Sequence, residues 1–185
     1  MLEVLRQIAA GGAKIVQLRE KNKTKREILA LAREYRQITS EYGMLLLIND
    51  HLDIALAVGA DGVHLGQDDL PIRVARELAP DLLLGCSTHN FEEIAEAEAS
   101  GASCINIGPI FTTNTKAVNC GALGIDYLKQ AVSRTKLPFS VMGGIKEQHI
   151  PELLGSGASR IAMVTEITQA SDITARVRKL RSLMV

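Results

Sequence analysis

A few short polar segments of this 185-residue chain carry residue types that could do chemistry. "QLREK" offers Gln17, Arg19 and Lys21. "NDH" offers Asn49 and Asp50, "GQDDLP" offers Asp68 and Asp69, and "STH" offers Ser87 and Thr88. "GPIFTTNTK" carries Thr113, Asn114, Thr115 and Lys116, "GGI" carries Gly143 and Gly144, and Thr165 stands after Val164. Arg and Lys neutralise phosphate oxygens. Carboxylates at the same place would oppose an anion unless a cation bridged them, and Mg²⁺ does this with one or two carboxylates plus substrate phosphates. Gathered in space, Arg19, Lys21 and Lys116 with two aspartates would suit magnesium pyrophosphate, with phosphate as a leaving group.

Each segment also has a plainer reading. "QLREK" can be a helix entry with solvated charges, and "ND" before a helix is a common N-cap. "GQDDLP" can be a turn and cap with Pro71 at the first helical position. Ser87, Thr88 and His89 can cap a helix, and a nucleophilic serine would want a base and an orienting acid that have no evident place. His51, His64 and His149 read as isolated and ordinary. Adjacent glycines 143 and 144 suggest close backbone approach to a ligand, often a phosphate, at a helix N-terminus. The long loop 108–121 is of the kind that encloses a ligand.

The elements decide whether these segments meet. Apolar runs at 14–18, 44–48, 62–65, 82–86, 104–108, 139–143 and 160–164 read as strands. They are mostly uninterrupted, as in a parallel sheet covered by helices on both sides. Helical patterns lie near 2–11, 23–42, 51–58, 71–79, 90–100, 124–134, 147–154 and 171–184. A phrase recurs before four strands: "AAGGAK", "AVGADG", "ASGASC" and "GSGASR". Each reads as a helix end, a glycine cap and a tight turn into a strand. Strict alternation predicts one domain over 1–185, either a closed (β/α) barrel or a doubly wound sheet. In a barrel the C-terminal strand ends converge on one mouth, and every polar segment above follows a strand. The pattern gives seven strands and eight helices. A closed eight-stranded barrel needs one more strand, before Glu3.

Composition narrows the partners. Lys plus Arg equals Asp plus Glu, at 21 each, which argues against a nucleic-acid or membrane-surface protein. No apolar run approaches a membrane span, and the N-terminus lacks a secretory pattern. Aromatic residues are 3%, so the core is aliphatic. Cys86, Cys104 and Cys120 lack CxxC spacing and read as buried or free thiols in a reducing cytoplasm.

The segments "VQLREK", "INDHLDIALAVGADGVHLGQDDLP", "GCSTHN", "GPIFTTNTK" and "GGI" together resemble the thiamin-phosphate synthase family, in order and spacing, over nearly the whole chain. The resemblance implies a (β/α)₈ TIM barrel, here with its first strand missing from the chain. It implies a Mg²⁺-dependent transferase of thiamin biosynthesis that joins a hydroxymethylpyrimidine diphosphate to a thiazole phosphate, through a dissociative, carbocation-like substitution. By the same resemblance Gln17, Arg19, Lys21 and Asn49 hold the pyrimidine diphosphate, and Ser87 and Lys116 contact it. Asp50 and Asp69 bind Mg²⁺, with Asp68 a neighbour or cap. Thr113, Asn114, Thr115, Gly144, Val164 and Thr165 line the thiazole phosphate site. The family also suggests association of copies of the chain. Departures are Thr112 and Asn114 where prolines are common, Thr165 for serine, and the missing strand, whose loss would expose the edges of the first and last strands. The runner-up is a thiazole tautomerase-like relative, disfavoured by "STH" and "TNTK"; a truncated, non-catalytic paralogue is the third reading.

Overall fold

The computed structural model describes residues 1–113 and 121–184. Asn114, Thr115, Lys116 and Cys120 lie outside the described residues. Six strands form one parallel sheet in chain order: β1 (Ile15–Leu18), β2 (Leu45–Asn49), β3 (Gly62–Leu65), β4 (Leu83–Thr88), β5 (Cys104–Ile107) and β6 (Phe139–Val141). Helices run between and beside them: α1 (Leu2–Ala10), α2 (Lys25–Tyr42), α3 (Leu52–Val58), α4 (Ile72–Leu78), α5 (Phe91–Ala99), α6 (Gly124–Arg134), α7 (Ile150–Gly155), α8 (Thr165–Thr168) and α9 (Ile173–Ser182). A 3₁₀ turn, Glu147–His149, leads into α7. Among the described residues no helix is long and apolar enough to cross a membrane.

The recurring glycine phrase is the joint expected of it. Gly12, Gly59, Gly101 and Gly157 all have positive φ. The alanine after each donates its amide to a carbonyl five residues back: Ala13 to Ile8, Ala60 to Ala55, Ala102 to Ala97 and Ala158 to Leu153. This is a Schellman closure, and a glycine takes its left-handed residue without a Cβ penalty. α2 starts with a reciprocal capping box between Thr24 and Glu27 and buries Ile28, Ala32, Tyr35 and Ile38 along one stripe. Asp61 then locks strand to helix. One of its carboxylate oxygens accepts from the Leu46 amide and from Arg36, both at 2.7 Å.

The core is aliphatic, built on Leu46, Ile48, Val63, Leu65, Leu84, Ile105, Ile107 and Val141. The sheet has TIM-like form, but the expected eight-stranded closure is not seen in the hydrogen bonding of the described residues. The run 160–164, expected as a full strand, gives a single parallel bridge, Ile161 with Val141, so the last strand is a correction. Its ladder stops because Val164 turns away into α8, a short helix not foreseen from the sequence. The helices nonetheless meet: α9 packs on α1, and α1 on α2. Thr174 donates to the Gln7 carbonyl at 3.0 Å and Arg178 to that of Ala10 at 3.3 Å. Gly11 is needed at this seam, where an added Cβ would lie 2.5 Å from Val177.

Candidate active site

Parallel register puts the polar segments on one rim. Leu18 pairs with Ile48, Asn49 with His64, Leu65 with Cys86, and Ser87 with Asn106. The residues that follow these positions therefore project from one end of the sheet. Gln17 lies on β1 in register with Leu47, and Arg19 is exposed just beyond the strand.

Asp50 stands at the centre. It has φ 64°, a left-handed conformation that a non-glycine residue takes at some cost, and its amide donates to the His64 carbonyl at 2.9 Å. It therefore does not cap α3; that position is His51, whose side chain makes no capping bond to the helix. The Asp50 carboxylate instead pairs with the Lys21 ammonium and hydrogen-bonds the Asp69 carboxyl. Asp69 is held by its own turn, accepting from the Gly66 amide at 2.7 Å. The reading of Asp68 as the cap of the next helix is corrected: Pro71 occupies that position and no side chain caps it.

The two carboxyls titrate apart. Burial pushes Asp50 up, but its bonds to Lys21 and Asp69 outweigh this and hold it below the usual carboxylate range. Burial, opposed by the Gly66 amide, and the charge of Asp50 raise Asp69. Asp69 is thus the more readily protonated of the two. Two hard oxygen donors in contact, each with its titration displaced by the other, are a pair that a divalent cation would satisfy. The described residues contain no cluster of three or more potential ligands, so a cation here would complete its shell with water and substrate oxygens.

Ser87 is 8% exposed, and its hydroxyl lies 2.9 Å from His64 Nε2. Gln67 donates to the Ser87 carbonyl at 2.6 Å. His64 is therefore not isolated: it lies buried beneath the rim and orients Ser87. Strand alternation, with His64 two residues before Gly66, was the available signal. Ser87 does not cap α5; Asn90 does, accepting from the Glu93 amide, while His89 Nδ1 lies 2.9 Å from Glu93. Next to Ser87 in register, Asn106 is 6% exposed, and its side-chain oxygen has no hydrogen-bond partner among the described residues. His149 is stacked on Phe111, with ring centroids 4.0 Å apart.

Gly143 and Gly144 have φ 97° and 63°. Their glycine identity has a reason within the fold. A Cβ on Gly143 would lie 2.4 Å from Pro109, and one on Gly144 2.4 Å from the Thr112 carbonyl. Amides of Ile110 and Phe111 donate to the carbonyls of Met142 and Gly143. The double glycine thus lets the start of the β5 loop, Pro109 to Thr112, lie against the β6 turn. Val164, 51% exposed, and Thr165 open α8 nearby in the chain order of the rim.

A family model described as thiamine monophosphate synthase matches residues 1–167. The chain belongs to the thiamine monophosphate synthase family. It is 45% identical to the thiamine-phosphate synthase of Pelotomaculum thermopropionicum, over 99% of this chain and 84% of that one. It is 40% identical to that of Pyrococcus horikoshii, over 97% of this chain and 86% of the relative. In structure it is similar to a thiamine phosphate pyrophosphorylase from Pyrococcus furiosus, with TM-score 0.92 and 37% identity over 99% of this chain and 88% of that one. A 3-hexulose-6-phosphate synthase, at TM-score 0.74 and 21% identity over 100% of this chain and 95% of that one, shares the fold alone. In this member of the thiamine monophosphate synthase family the described structure joins Lys21, Asp50 and Asp69 directly, and Ser87 with His64.

Proposed function

We propose that the rim binds a magnesium-complexed pyrimidine diphosphate beside a thiazole phosphate and joins them, as a thiamine-phosphate synthase of thiamin biosynthesis. Family membership supports the transferase activity. The observation that carries the placement is the contact of Lys21, Asp50 and Asp69 at one point of the rim.

Asp50 and Asp69 would hold Mg²⁺, which when bound shields the diphosphate charge and makes it a better leaving group. Lys21, Arg19 and Lys116 place positive charge where the leaving oxygens gather it. Gln17, Asn49 and Ser87 orient the pyrimidine diphosphate, with the Ser87 hydroxyl fixed by His64. Thr113, Asn114, Thr115, Gly144, Val164 and Thr165 seat the thiazole phosphate. Pyrophosphate departs first, leaving a pyrimidine carbocation that the thiazole nitrogen attacks. The bond from the pyrimidine methylene carbon to oxygen breaks, its electron pair leaves with pyrophosphate, and the thiazole nitrogen supplies the new pair. A path of this kind asks the protein for position and electrostatics, with no covalent nucleophile. We place this reaction in a TIM-like barrel in the cytoplasm, where the free thiols of Cys86 and Cys104 are at home.

The test is product formation by the purified chain from the two substrates. The proposal expects thiamin phosphate and pyrophosphate in equal amounts, with loss of both on chelating Mg²⁺. Turnover that survives chelation would overturn the metal assignment, and release of an isomerised thiazole phosphate alone would favour the tautomerase reading.

A further inference from the structure

Arg176, on α9, belongs to none of the segments that carry the reaction, yet it ties two of them together. One guanidinium nitrogen pairs with Glu147 and another with Glu166. Glu147 follows the Gly143–Gly144 turn by three residues, and Glu166 directly follows Thr165. The Glu147 amide donates to Glu166 Oε1 at 3.2 Å, Lys146 Nζ lies 3.2 Å from Glu166 Oε2, and Lys179 Nζ lies 2.9 Å from Glu147 Oε1. The group is partly sheltered, with the Glu166 side chain 12% and the Arg176 side chain 22% exposed. It lines an open cavity of about 490 Å³ shared with Thr165 and Asp172.

Two physical consequences follow. First, a planar guanidinium bridging two carboxylates fixes the distance between the β6 turn and the start of α8, which otherwise share little sheet, since 160–164 makes one bridge. Secondly, Glu166 puts a negative charge next in sequence to Thr165. Arg176 and Lys146 neutralise it. Without them a carboxylate would stand by the place assigned to a substrate phosphate and oppose it.

We propose that Arg176 is a positioning residue for the thiazole-phosphate subsite: it holds Gly144 and Thr165 at the spacing that a phosphate needs and cancels the charge of Glu166. This rests on the placement of the thiazole phosphate given above. Arg176 touches no reacting atom. Its effect should fall on one substrate, and it should depend on Glu166.

The experiment is steady-state kinetics on Arg176→Ala, Arg176→Lys, Glu166→Gln with Arg176→Ala, and Thr165→Val, each checked for folding by circular dichroism. Arg176→Ala should raise KM for the thiazole phosphate about tenfold, with KM for the pyrimidine diphosphate within about twofold. Arg176→Lys keeps the charge and loses the two-pronged bridge, so its KM should fall between wild type and Arg176→Ala; it also serves if the alanine variant does not fold. The double variant should recover much of the lost affinity, because the opposing carboxylate is gone. Equal effects on both substrates, or no recovery in the double variant, would overturn the proposal. If Thr165→Val leaves the thiazole phosphate KM unchanged, the subsite itself is misplaced. If Thr165→Val raises it and both Arg176 variants do not, the clamp alone fails.

Discussion

The side chains of Asp50 and Asp69 meet across the turns that follow β2 and β3, beside the Lys21 ammonium. Two acids and one cation thus meet at a point assembled from three separate loops. Asp50→Ala removes one acid and the partner of Lys21. Turnover should fall by about 100-fold, or ~2.7 kcal/mol of barrier, while the fold persists. A rate assay with saturating substrates and Mg²⁺ checks this; near-normal turnover would reject the role.

Ser87→Ala tests the buried hydroxyl. The change leaves His64 Nε2 without its 2.9 Å contact in a site 7% exposed. Losing one partner of a buried bond costs about 1–3 kcal/mol. Urea unfolding should show that loss, and turnover should fall as well, because Ser87 touches the diphosphate in the account above. A loss of stability with full activity would leave Ser87 a structural residue.

Gly144→Ala should be costly for two reasons. The position has φ 63°, and the new methyl would lie 2.4 Å from the Thr112 carbonyl. A non-glycine residue in the left-handed region costs about 1–2 kcal/mol, and the clash adds to it by pushing the β5 loop away. Denaturation midpoint and the KM for the thiazole phosphate should both move. A change in neither would show that the loop gives way freely.

How far such features could be foreseen depends on how local they are. The glycine joints at Gly59, Gly101 and Gly157 were legible because a cap and its Schellman bond involve six consecutive residues. The segments bearing Lys21, Asp50 and Asp69 were legible as charged turns after strands. That the two acids would meet was not, since it depends on the register of β2 against β3. His64 with Ser87 escaped for the same reason: their contact crosses from β3 to β4. The short α8 was too brief to give a period, and the run before it looked like a full strand because its residues are apolar. The double glycine was legible as a place of close approach; that the β5-loop backbone is one partner in it depends on the packing of β5 against β6.

Cys86 supplies a pH test. Burial pushes its thiol up to about 11, with Glu93 adding to it. The unfolded thiol titrates near ~8.5. Between those values the folded chain binds more protons than the unfolded one, so stability falls as pH rises through that window. Below it the contribution is fully present. Cys86→Ser should remove this part of the slope, seen as a smaller drop in Tm between pH 9 and 11 than in wild type. Equal drops would show that the thiol ionises freely in the fold.

Pyrophosphate binding with and without Mg²⁺, measured by calorimetry on wild type and on Asp50→Asn, tests the central claim most directly. If Asp50 and Asp69 hold the metal of a magnesium diphosphate, Mg²⁺ should raise wild-type affinity by at least about tenfold and have little effect in the variant. Equal affinity with and without Mg²⁺ in wild type, or the same gain in Asp50→Asn, would contradict it.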